Sequence, residues 1–336
     1  MAITVHRATR FSQGAGVMLV LLLAVLAAAP WWAGRADLRL MIEIFAYIGL
    51  ASLWNLLAGY AGLVSVGQHA FVGLGGYVLF ALAIFVGINP LFAIPLAGLV
   101  AAIAAVPAAF LLFRLRGAYF AIGSWVLAEV ARLGFAQVSA LGGGSGSSLP
   151  VEVVRSIADG RSAREAVTYW AALALVTLIV GLIYLLLRSR LGLALTAIRD
   201  CEQASQSLGV RIGRVKLLVY VVAAAGAAMI GALIFLTKLR ISPEAAFSVN
   251  DWTAFVIFIA VIGGVGRIEG PIIGTLIFFV LRETLADYGA VYLIALGIIA
   301  ILIMLFARRG VWGYLADRFG LEIFPLRRRV KRSGNP

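Results

Sequence analysis

Long apolar runs, separated by short polar or charged breaks, are the dominant pattern along this chain of 336 residues. A helix rises about 1.5 Å per residue, so about 20 apolar residues cross a hydrocarbon core of about 30 Å. The pattern therefore predicts a series of membrane-spanning helices. The predicted spans are 17–33, 40–58, 63–87, 91–113, 117–136, 167–187, 216–237, 252–263 with 271–287, and 290–306.

The composition supports this prediction. Hydrophobic residues make up 63% of the chain and charged residues only 13%, a balance that cannot cover a water-soluble globule with a charged surface. The first apolar run follows two arginines, as in a cleavable signal peptide, but it continues through Pro30, Trp31 and Trp32, and we interpret it as the first span. We expect an all-α polytopic membrane protein with about 9–10 transmembrane helices.

The basic residues lie in the breaks between spans and predict the orientation. The net charge is +13, from 28 Lys and Arg against 15 Asp and Glu, and positive clusters mark cytoplasmic loops rather than a nucleic-acid site. We expect residues 114–116, 188–216 and 308–332 in the cytoplasm, together with both termini, and the loop 137–166 outside. The predicted organisation is one transmembrane domain, 1–310, and a basic cytoplasmic tail, 311–336. This tail either docks on anionic lipid or anchors the topology, and we favour the anchor.

Two glycine-rich segments interrupt the apolar pattern, one in each half. The run from Gly263 to Pro271 separates two apolar arms, and the first arm, 252–263, would end near mid-bilayer if helical. If successive spans alternate in direction and the basic clusters face the cytoplasm, the segment 252–288 must enter the membrane from the outside and return to the outside. The first-half segment, 59–69, is similar, and such paired breaks indicate an internal repeat around a midplane path.

The polar residues and glycines in these segments are candidates for a substrate path. Side-chain donors and acceptors at membrane depth can line a polar route, but the same glycines could instead be helix-packing contacts. Arg267 and Glu269 could form an ion pair in the path, or could lie solvated at the cytoplasmic mouth. The candidate path residues are Ser65, Gln68, His69, Gly73, Gly75, Tyr77, Gly263, Gly264, Gly266, Gly270 and Pro271.

Catalytic and metal-binding residues are sparse. The two histidines, His6 and His69, are far apart in sequence, and the single cysteine, Cys201, excludes a disulfide framework or a CxxC site. We expect Cys201 to be a small buried residue and the chain not to be an enzyme. Five charged residues near predicted helix ends are expected to snorkel to the interface, namely Glu43, Glu129, Arg132, Arg282 and Glu283.

The stretch 190–210 predicts a short polar helix on the cytoplasmic face, closed by Gly209. Such a helix could fit a partner's groove. The pattern Arg199-Asp200-x-Glu202-x-Ala204-Ser205-x-x-Leu208-Gly209-Val210 resembles the coupling loop of the branched-chain amino-acid ABC permease family, in its M-type subunit. The similar motifs elsewhere are Gly62-Leu63-Val64-Ser65-Val66-Gly67-Gln68, Arg116-Gly117-x-Tyr119-Phe120, Ile241-Ser242-Pro243-Glu244 and Gly263-Gly264-x-Gly266-x-x-x-Gly270-Pro271.

The resemblance implies the membrane subunit of a binding-protein-dependent importer in the bacterial inner membrane. Its partners would be a second related permease, two cytoplasmic ATPase subunits that bind the ATP, and a periplasmic solute-binding protein, and the chain itself would contact membrane lipid. The chain itself has no phosphate-binding Gly-x-x-x-x-Gly-Lys-Ser/Thr loop and no cofactor is expected in it. The coupling loop, about 188–216, would seat these residues on an ATPase: Arg199, Asp200, Glu202, Ala204, Ser205, Leu208 and Gly209.

The expected solute is a branched-chain amino acid. Three departures from the family pattern bear on that choice, namely His69, the Arg267 and Glu269 pair, and the stretch 142–147, which lacks an asparagine. The alternatives are the same type of importer for urea, amides or other amino acids, and a secondary carrier or channel that works without ATP.

Overall fold

The computed structural model describes residues 3–6, 10–285, 291–306, 309–319, 323–324 and 329–332. Helices account for most of this part of the chain, which confirms the all-α prediction. The α-helices are α1 Arg10–Ala27, α2 Ala29–Trp32, α3 Arg35–Asn55, α4 Gln68–Ala81, α5 Pro90–Leu112, α6 Ala118–Ala136, α7 Val151–Arg155, α8 Arg161–Arg188, α9 Arg190–Asp200, α10 Glu202–Ser207, α11 Ile212–Lys238, α12 Pro243–Ala246, α13 Phe255–Gly263, α14 Glu269–Leu285, α15 Val291–Phe306 and α16 Gly310–Phe319. Wider π-helical turns continue α3 and α4 and precede α13, at Leu56–Tyr60, Leu82–Val86 and Asn250–Ala254.

Seven helical stretches among the described residues are long and apolar enough to cross a membrane. Three further predicted spans correspond to α1 with α2, to α6 and to α14. These helices are shorter or more polar than the seven stretches, so seven stretches are counted where nine or ten transmembrane helices were predicted. The seven stretches are Arg35–Tyr60, Gln68–Val86, Pro90–Leu112, Arg161–Arg188, Ile212–Lys238, Pro243–Gly263 and Ile294–Ala316.

Two short antiparallel strand pairs join distant parts of the chain. Strand β1, Ile3–His6, pairs with β4, Arg329–Arg332, and this places the two ends of the chain on the same side of the molecule. Strand β2, Ser147–Ser148, pairs with β3, Arg240–Ile241, and so ties the predicted external loop to the connection between α11 and α12. Parts of the predicted basic tail, 320–322, 325–328 and 333–336, lie outside the described residues, as do 286–290 and 307–308.

Helix α11 lies at the centre of the bundle, packed against α3, α4, α5 and α8. Small residues allow this, because helix backbones in a membrane approach closely only where no side chain intervenes. A Cβ added to Gly75 of α4 would overlap the carbonyl of Ala228 in α11, and one added to Gly231 of α11 would overlap the carbonyl of Val72 in α4. The two helices therefore meet backbone to backbone.

Both glycine-rich segments lie at one end of the bundle, which we call the α9 end because α9 lies there. The first segment follows α3, and the second is the turn 264–268 between α13 and α14, which we call the break. The stretch before the break, Pro243–Gly263, has 21 residues and is long enough to cross a membrane, although residues 247 and 248 interrupt the helix. Helical structure therefore begins nine residues earlier than the apolar run indicates, and the mid-bilayer end of the first arm stays a prediction.

Most of the charged residues expected to snorkel instead pair within the protein. Arg132 pairs with Glu129 on α6, and Arg282 of α14 donates from Nη1 and Nη2 to the two carboxylate oxygens of Glu43 on α3, at 2.7 and 2.9 Å. A forked pair of this kind fixes the relative position of two helices. Cys201, expected to be buried, is exposed, because it lies in the extended link between α9 and α10.

Candidate functional site

The first glycine-rich segment forms a loop, 61–67, held by its neighbours. The indole Nε1 of Trp54 on α3 donates to the carbonyl of Ser65 at 2.8 Å, and the backbone N–H of Val66 donates to Oγ of Ser124 on α6 at 3.0 Å. Gly67 lies so close to the Ser124 carbonyl that a side chain would not fit. The loop is therefore a fixed connection between α3, α4 and α6.

The first turn of α4 carries two buried polar side chains that reach other helices. Nδ1 of His69, which has no exposed surface, lies 2.9 Å from Oγ1 of Thr253 in the π-helical turn before α13. Nε2 of Gln68 donates to the carbonyl of Leu50 on α3 at 3.0 Å. The His69 contact joins the first half of the chain to the second, and the Gln68 contact joins α4 to α3. That Gln68 and His69 line the path stays a prediction, and Thr253 was not among the predicted residues.

Several buried polar atoms on α3, on α4 and in the connection between them have no hydrogen-bond partner among the described residues. An unpaired polar group in an apolar interior costs several kcal/mol at most and about 1–3 kcal/mol in mutational data, so a cluster of them favours water or a polar solute as partner. In a membrane protein such groups usually mark a path. The atoms on α3 and α4 and the connection between them are Ser52 Oγ, Tyr60 OH, Gln68 Oε1, His69 Nε2 and Tyr77 OH.

The candidate glycines of α4 lie in helix contacts. Gly73 faces the ring of Phe247, and Gly75 lies against α11. The Tyr77 ring stacks on Phe135 with a centroid distance of 4.5 Å and on Phe247 at 6.0 Å. Gly73 and Gly75 therefore make the close contacts expected of glycines that serve packing. Their assignment to the substrate path stays a prediction.

The second glycine-rich segment makes a tight turn at the α9 end. Gly264 and Gly266 have φ values of +121° and +84°, a backbone region that favours glycine. A Cβ on Gly263 would overlap the carbonyl of Gly270, so α13 and α14 start their contact at the turn itself. Pro271 is buried in the first turn of α14.

Glu269, at the start of α14, is buried rather than solvated. Its exposed fraction is 7%, and its Oε1 accepts a hydrogen bond from the backbone N–H of Phe324 at 2.9 Å. The break lies at an end of the bundle, as expected if Arg267 and Glu269 lie at the cytoplasmic mouth. The Glu269 carboxylate is nevertheless covered by the C-terminal segment.

Asn55 joins the two glycine-rich segments. Its side chain is 2% exposed, and its Oδ1 accepts from the N–H of Gly266 at 2.7 Å while its Nδ2 donates to the carbonyl of Arg267 at 2.8 Å. A Cβ on Gly59, one turn further on, would lie 2.6 Å from the Gly266 nitrogen. Asn55 was not among the predicted residues, although an amide inside the apolar run 40–58 is a signal that could have indicated it.

The predicted coupling loop folds as two helices, α9 and α10, on the surface of the α9 end. Glu202 pairs with Lys216 of α11 at 2.8 Å, and Oγ of Ser205 donates to the carbonyl of Cys201 at 2.8 Å. Gly209 has φ +82°, as expected for a residue that ends a helix. Leu208 is 82% exposed, beside a groove of about 990 Å³.

The remaining predicted residues of this loop connect it to the bundle. Arg199, in the last turn of α9, donates from Nη1 to the carbonyl of Gly59 at 3.0 Å, and its Nε and Nη2 both lie 3.2 Å from Oδ1 of Asp200. Ala204 lies within α10. The surface helices therefore contact the same place at which the two glycine-rich segments meet.

A comparison with protein-family models matches residues 38–308 to one described as branched-chain amino acid transport system, permease component. The chain belongs to this permease family. The match includes both glycine-rich segments, the loop with α9 and α10, and all seven stretches long enough to span a membrane except the first three residues of Arg35–Tyr60 and the last eight of Ile294–Ala316.

Individual relatives agree with this membership. The chain is 30% identical over 317 residues, 88% of this chain and 74% of the relative, to the high-affinity branched-chain amino acid transport system permease protein LivM of Salmonella typhimurium and to LivM of Escherichia coli K12. It is 33% identical over 138 residues, 40% of this chain and 43% of the relative, to the permease protein BraD of Pseudomonas aeruginosa. No solved structure matches the chain. The protein is a multi-pass membrane permease, not an enzyme.

Proposed function

We propose that this permease is the membrane-spanning subunit of a binding-protein-dependent ABC importer that carries branched-chain amino acids across the bacterial inner membrane. ATP is hydrolysed by two separate cytoplasmic subunits, a second related permease completes the channel, and a periplasmic binding protein delivers the solute. Both termini face the cytoplasm. The pairing of β1 with β4 supports a common side for the termini, and the basic cluster 188–216 supports the cytoplasm as that side.

The observation that carries the proposal is the exposed surface of α9 and α10. Leu208, directly after α10, is 82% exposed among polar side chains. The groove beside it is lined by Gln203, Gln206 and Arg211 among others. An apolar anchor surrounded by polar groups is the usual composition of a protein-binding surface, and the relatives' transport systems supply the kind of partner.

The path for the solute is proposed along the buried polar atoms of α3 and α4. His69 links the two halves of the chain through Thr253, and Gln68 lies beside it. Their unpaired atoms, Nε2 of His69 and Oε1 of Gln68, match the charged ends of an amino acid better than an apolar solute. Opening and closing at the α9 end would follow movements of the break. Replacement of Gln68 by Leu should therefore raise the KM for uptake while ATP hydrolysis by the complex continues.

The test is uptake of labelled leucine into proteoliposomes that contain this subunit, its permease partner, the ATPase subunits and the binding protein, with and without ATP. We expect uptake that requires ATP and every component. Uptake by this subunit alone, indifferent to ATP, would overturn the proposal in favour of a secondary carrier. ATP-dependent uptake of urea or an amide but not of leucine would overturn the choice of solute.

The coupling surface has its own test with a matched control. Leu208→Asp should reduce co-purification of the ATPase subunits, because a charge replaces the apolar anchor of the contact. Val151→Asp is the control, since Val151 is 65% exposed in the loop 137–166, at the other end of the bundle. Equal recovery of the ATPases with both variants would show that α10 is not the contact surface.

A further inference from the structure

Two side chains that do not line the proposed path connect the break to its neighbours: Asn55 ties it to α3, and Arg199 of α9 bonds to Gly59 beside it. The backbone of the break cannot satisfy its own hydrogen bonds, because Gly264 and Gly266 turn it out of the helical region. Asn55 supplies one acceptor and one donor to it, at 2.7 and 2.8 Å. Because both ends of the amide are used, asparagine is specifically suited to this position among residues of its size.

Arg199 extends this connection to the surface. Its Nη1 donates to the carbonyl of Gly59, and a Cβ placed on Gly266 would lie 3.4 Å from the same Nη1 and 3.5 Å from that carbonyl. The guanidinium therefore stands directly beside the break. Asp200 orients it through Nε and Nη2, so that the remaining nitrogen points at Gly59. Only Cys201 separates this pair from the start of α10.

We propose that Asn55 and Arg199 form a latch that couples the position of α9 to the position of the break, and so to the opening of the path at the α9 end. The proposal rests on the proposed function, since it assigns to the latch the step between ATPase movement and the solute path. Neither residue touches the solute; both are positioning residues. A displacement of α9 by a bound partner breaks or moves the Arg199 contact with Gly59, and Asn55 transmits that change to residues 266 and 267.

The experiment follows the break directly, in the assembled complex. In a Cys201→Ser background, which removes the chain's single cysteine, Val265→Cys places a thiol in the break at a site that is 43% exposed. Its rate of modification by a membrane-impermeant maleimide is compared between the nucleotide-free and the vanadate-trapped complex. We expect the rate to differ between the two states, and to lose this difference when Arg199→Gln or Asn55→Leu is added.

Transport supplies the second readout. Arg199→Gln should lower the amount of leucine imported per ATP hydrolysed by about tenfold, the scale set by one hydrogen bond from a charged group. Arg199→Lys, which keeps one donor for the Gly59 carbonyl, should recover part of the loss. Arg155→Gln is the matched control, because Arg155 is an exposed arginine in the loop 137–166, at the other end of the bundle and away from α9 and α10. It should leave both the labelling difference and the transport ratio unchanged.

The outcomes separate the latch from the function on which it rests. The latch is wrong, and the importer stands, if the reference complex imports leucine with ATP but its maleimide labelling rate is the same in the nucleotide-free and vanadate-trapped states. The same conclusion follows if Arg199→Gln keeps both the difference in labelling rate and the amount of leucine imported per ATP. If the reference complex shows no ATP-dependent uptake, the proposed function fails and the latch with it. Arg199 is half exposed, so its variants test the idea even where Asn55→Leu does not fold.

Discussion

The contact between α4 and α11 predicts a graded response to the smallest possible side chain. A Cβ at Gly75 would overlap the backbone carbonyl of Ala228, which has no rotamer to change, whereas one at Gly49 would lie 2.6 Å from Cδ1 of Ile230, the movable end of a side chain. At Gly181 no atom lies within 4 Å. Alanine substitutions at these three glycines therefore differ only in what the new methyl group meets.

The magnitudes follow from two opposing terms. Overpacking costs about 1–3 kcal/mol, and replacing glycine by alanine within a helix gains up to about 1 kcal/mol. We expect Gly75→Ala to lose about 2 kcal/mol, because backbone cannot yield, Gly49→Ala to change by less than about 1 kcal/mol, and Gly181→Ala to be neutral or slightly stabilising. At roughly 2–4 °C per kcal/mol, the midpoint for Gly75→Ala falls by about 4–8 °C.

The assay is the thermal midpoint of the purified subunit in detergent, read as loss of the monodisperse peak in size-exclusion chromatography after heating. Equal midpoints for the three variants would refute the backbone contact between α4 and α11. The same variants also decide between the two roles of Gly75. A normal midpoint combined with lost uptake would assign Gly75 to the solute path rather than to packing.

Two further contacts give independent predictions. Glu43→Gln should lower the thermal midpoint by the equivalent of about 1 kcal/mol, the upper part of the range for partly exposed pairs. Exchange of the two residues, Glu43→Arg with Arg282→Glu, should restore most of the lost stability. If the exchange does not recover stability, the charge pair is not the cause of the effect. Thr253→Val should cost about 1–3 kcal/mol, because it removes the hydroxyl that meets Nδ1 of the buried His69. Thr253→Ser keeps the hydroxyl and should cost less. Similar thermal midpoints for the valine and serine variants would argue against that hydrogen bond.

The positions of the helices could be predicted from the sequence because lipid enforces a simple rule. Backbone groups in the membrane must be paired within a helix, so apolar length maps directly onto structure, and the predicted span 91–113 is observed as Pro90–Leu112. The residues that precede the apolar run 252–263 could not be predicted in the same way. Residues 243–251 are too polar to be recognised as part of a span, yet α12 covers 243–246 and the π-helical turn begins at Asn250 and leads into α13.

The candidate site divides along similar lines. Gln68 and His69 were predicted because polar side chains in an apolar run are conspicuous, and the structure gives each a buried interhelical contact. Asn55 and Thr253 have the same property and were missed, because neither lies in a glycine-rich segment. Which of two distant polar residues meet depends on helix packing, and a single sequence does not contain that information.

Glycine illustrates the limit most clearly, because the chain uses it for two unrelated physical purposes. Gly75 and Gly231 have ordinary helical backbone and are needed for the space that a side chain would fill; Gly264 and Gly266 have positive φ and are needed for the turn itself. In the sequence all four are glycines in apolar surroundings, so the predicted path included members of both groups. They differ in what a substitution disturbs: at Gly75 alanine separates two helices, whereas at Gly266 it strains the backbone that Asn55 and Arg199 hold. Alanine at Gly75 or Gly231 is therefore expected to lower stability without changing the amount of solute imported per ATP hydrolysed. Alanine at Gly264 or Gly266 is expected to lower that amount.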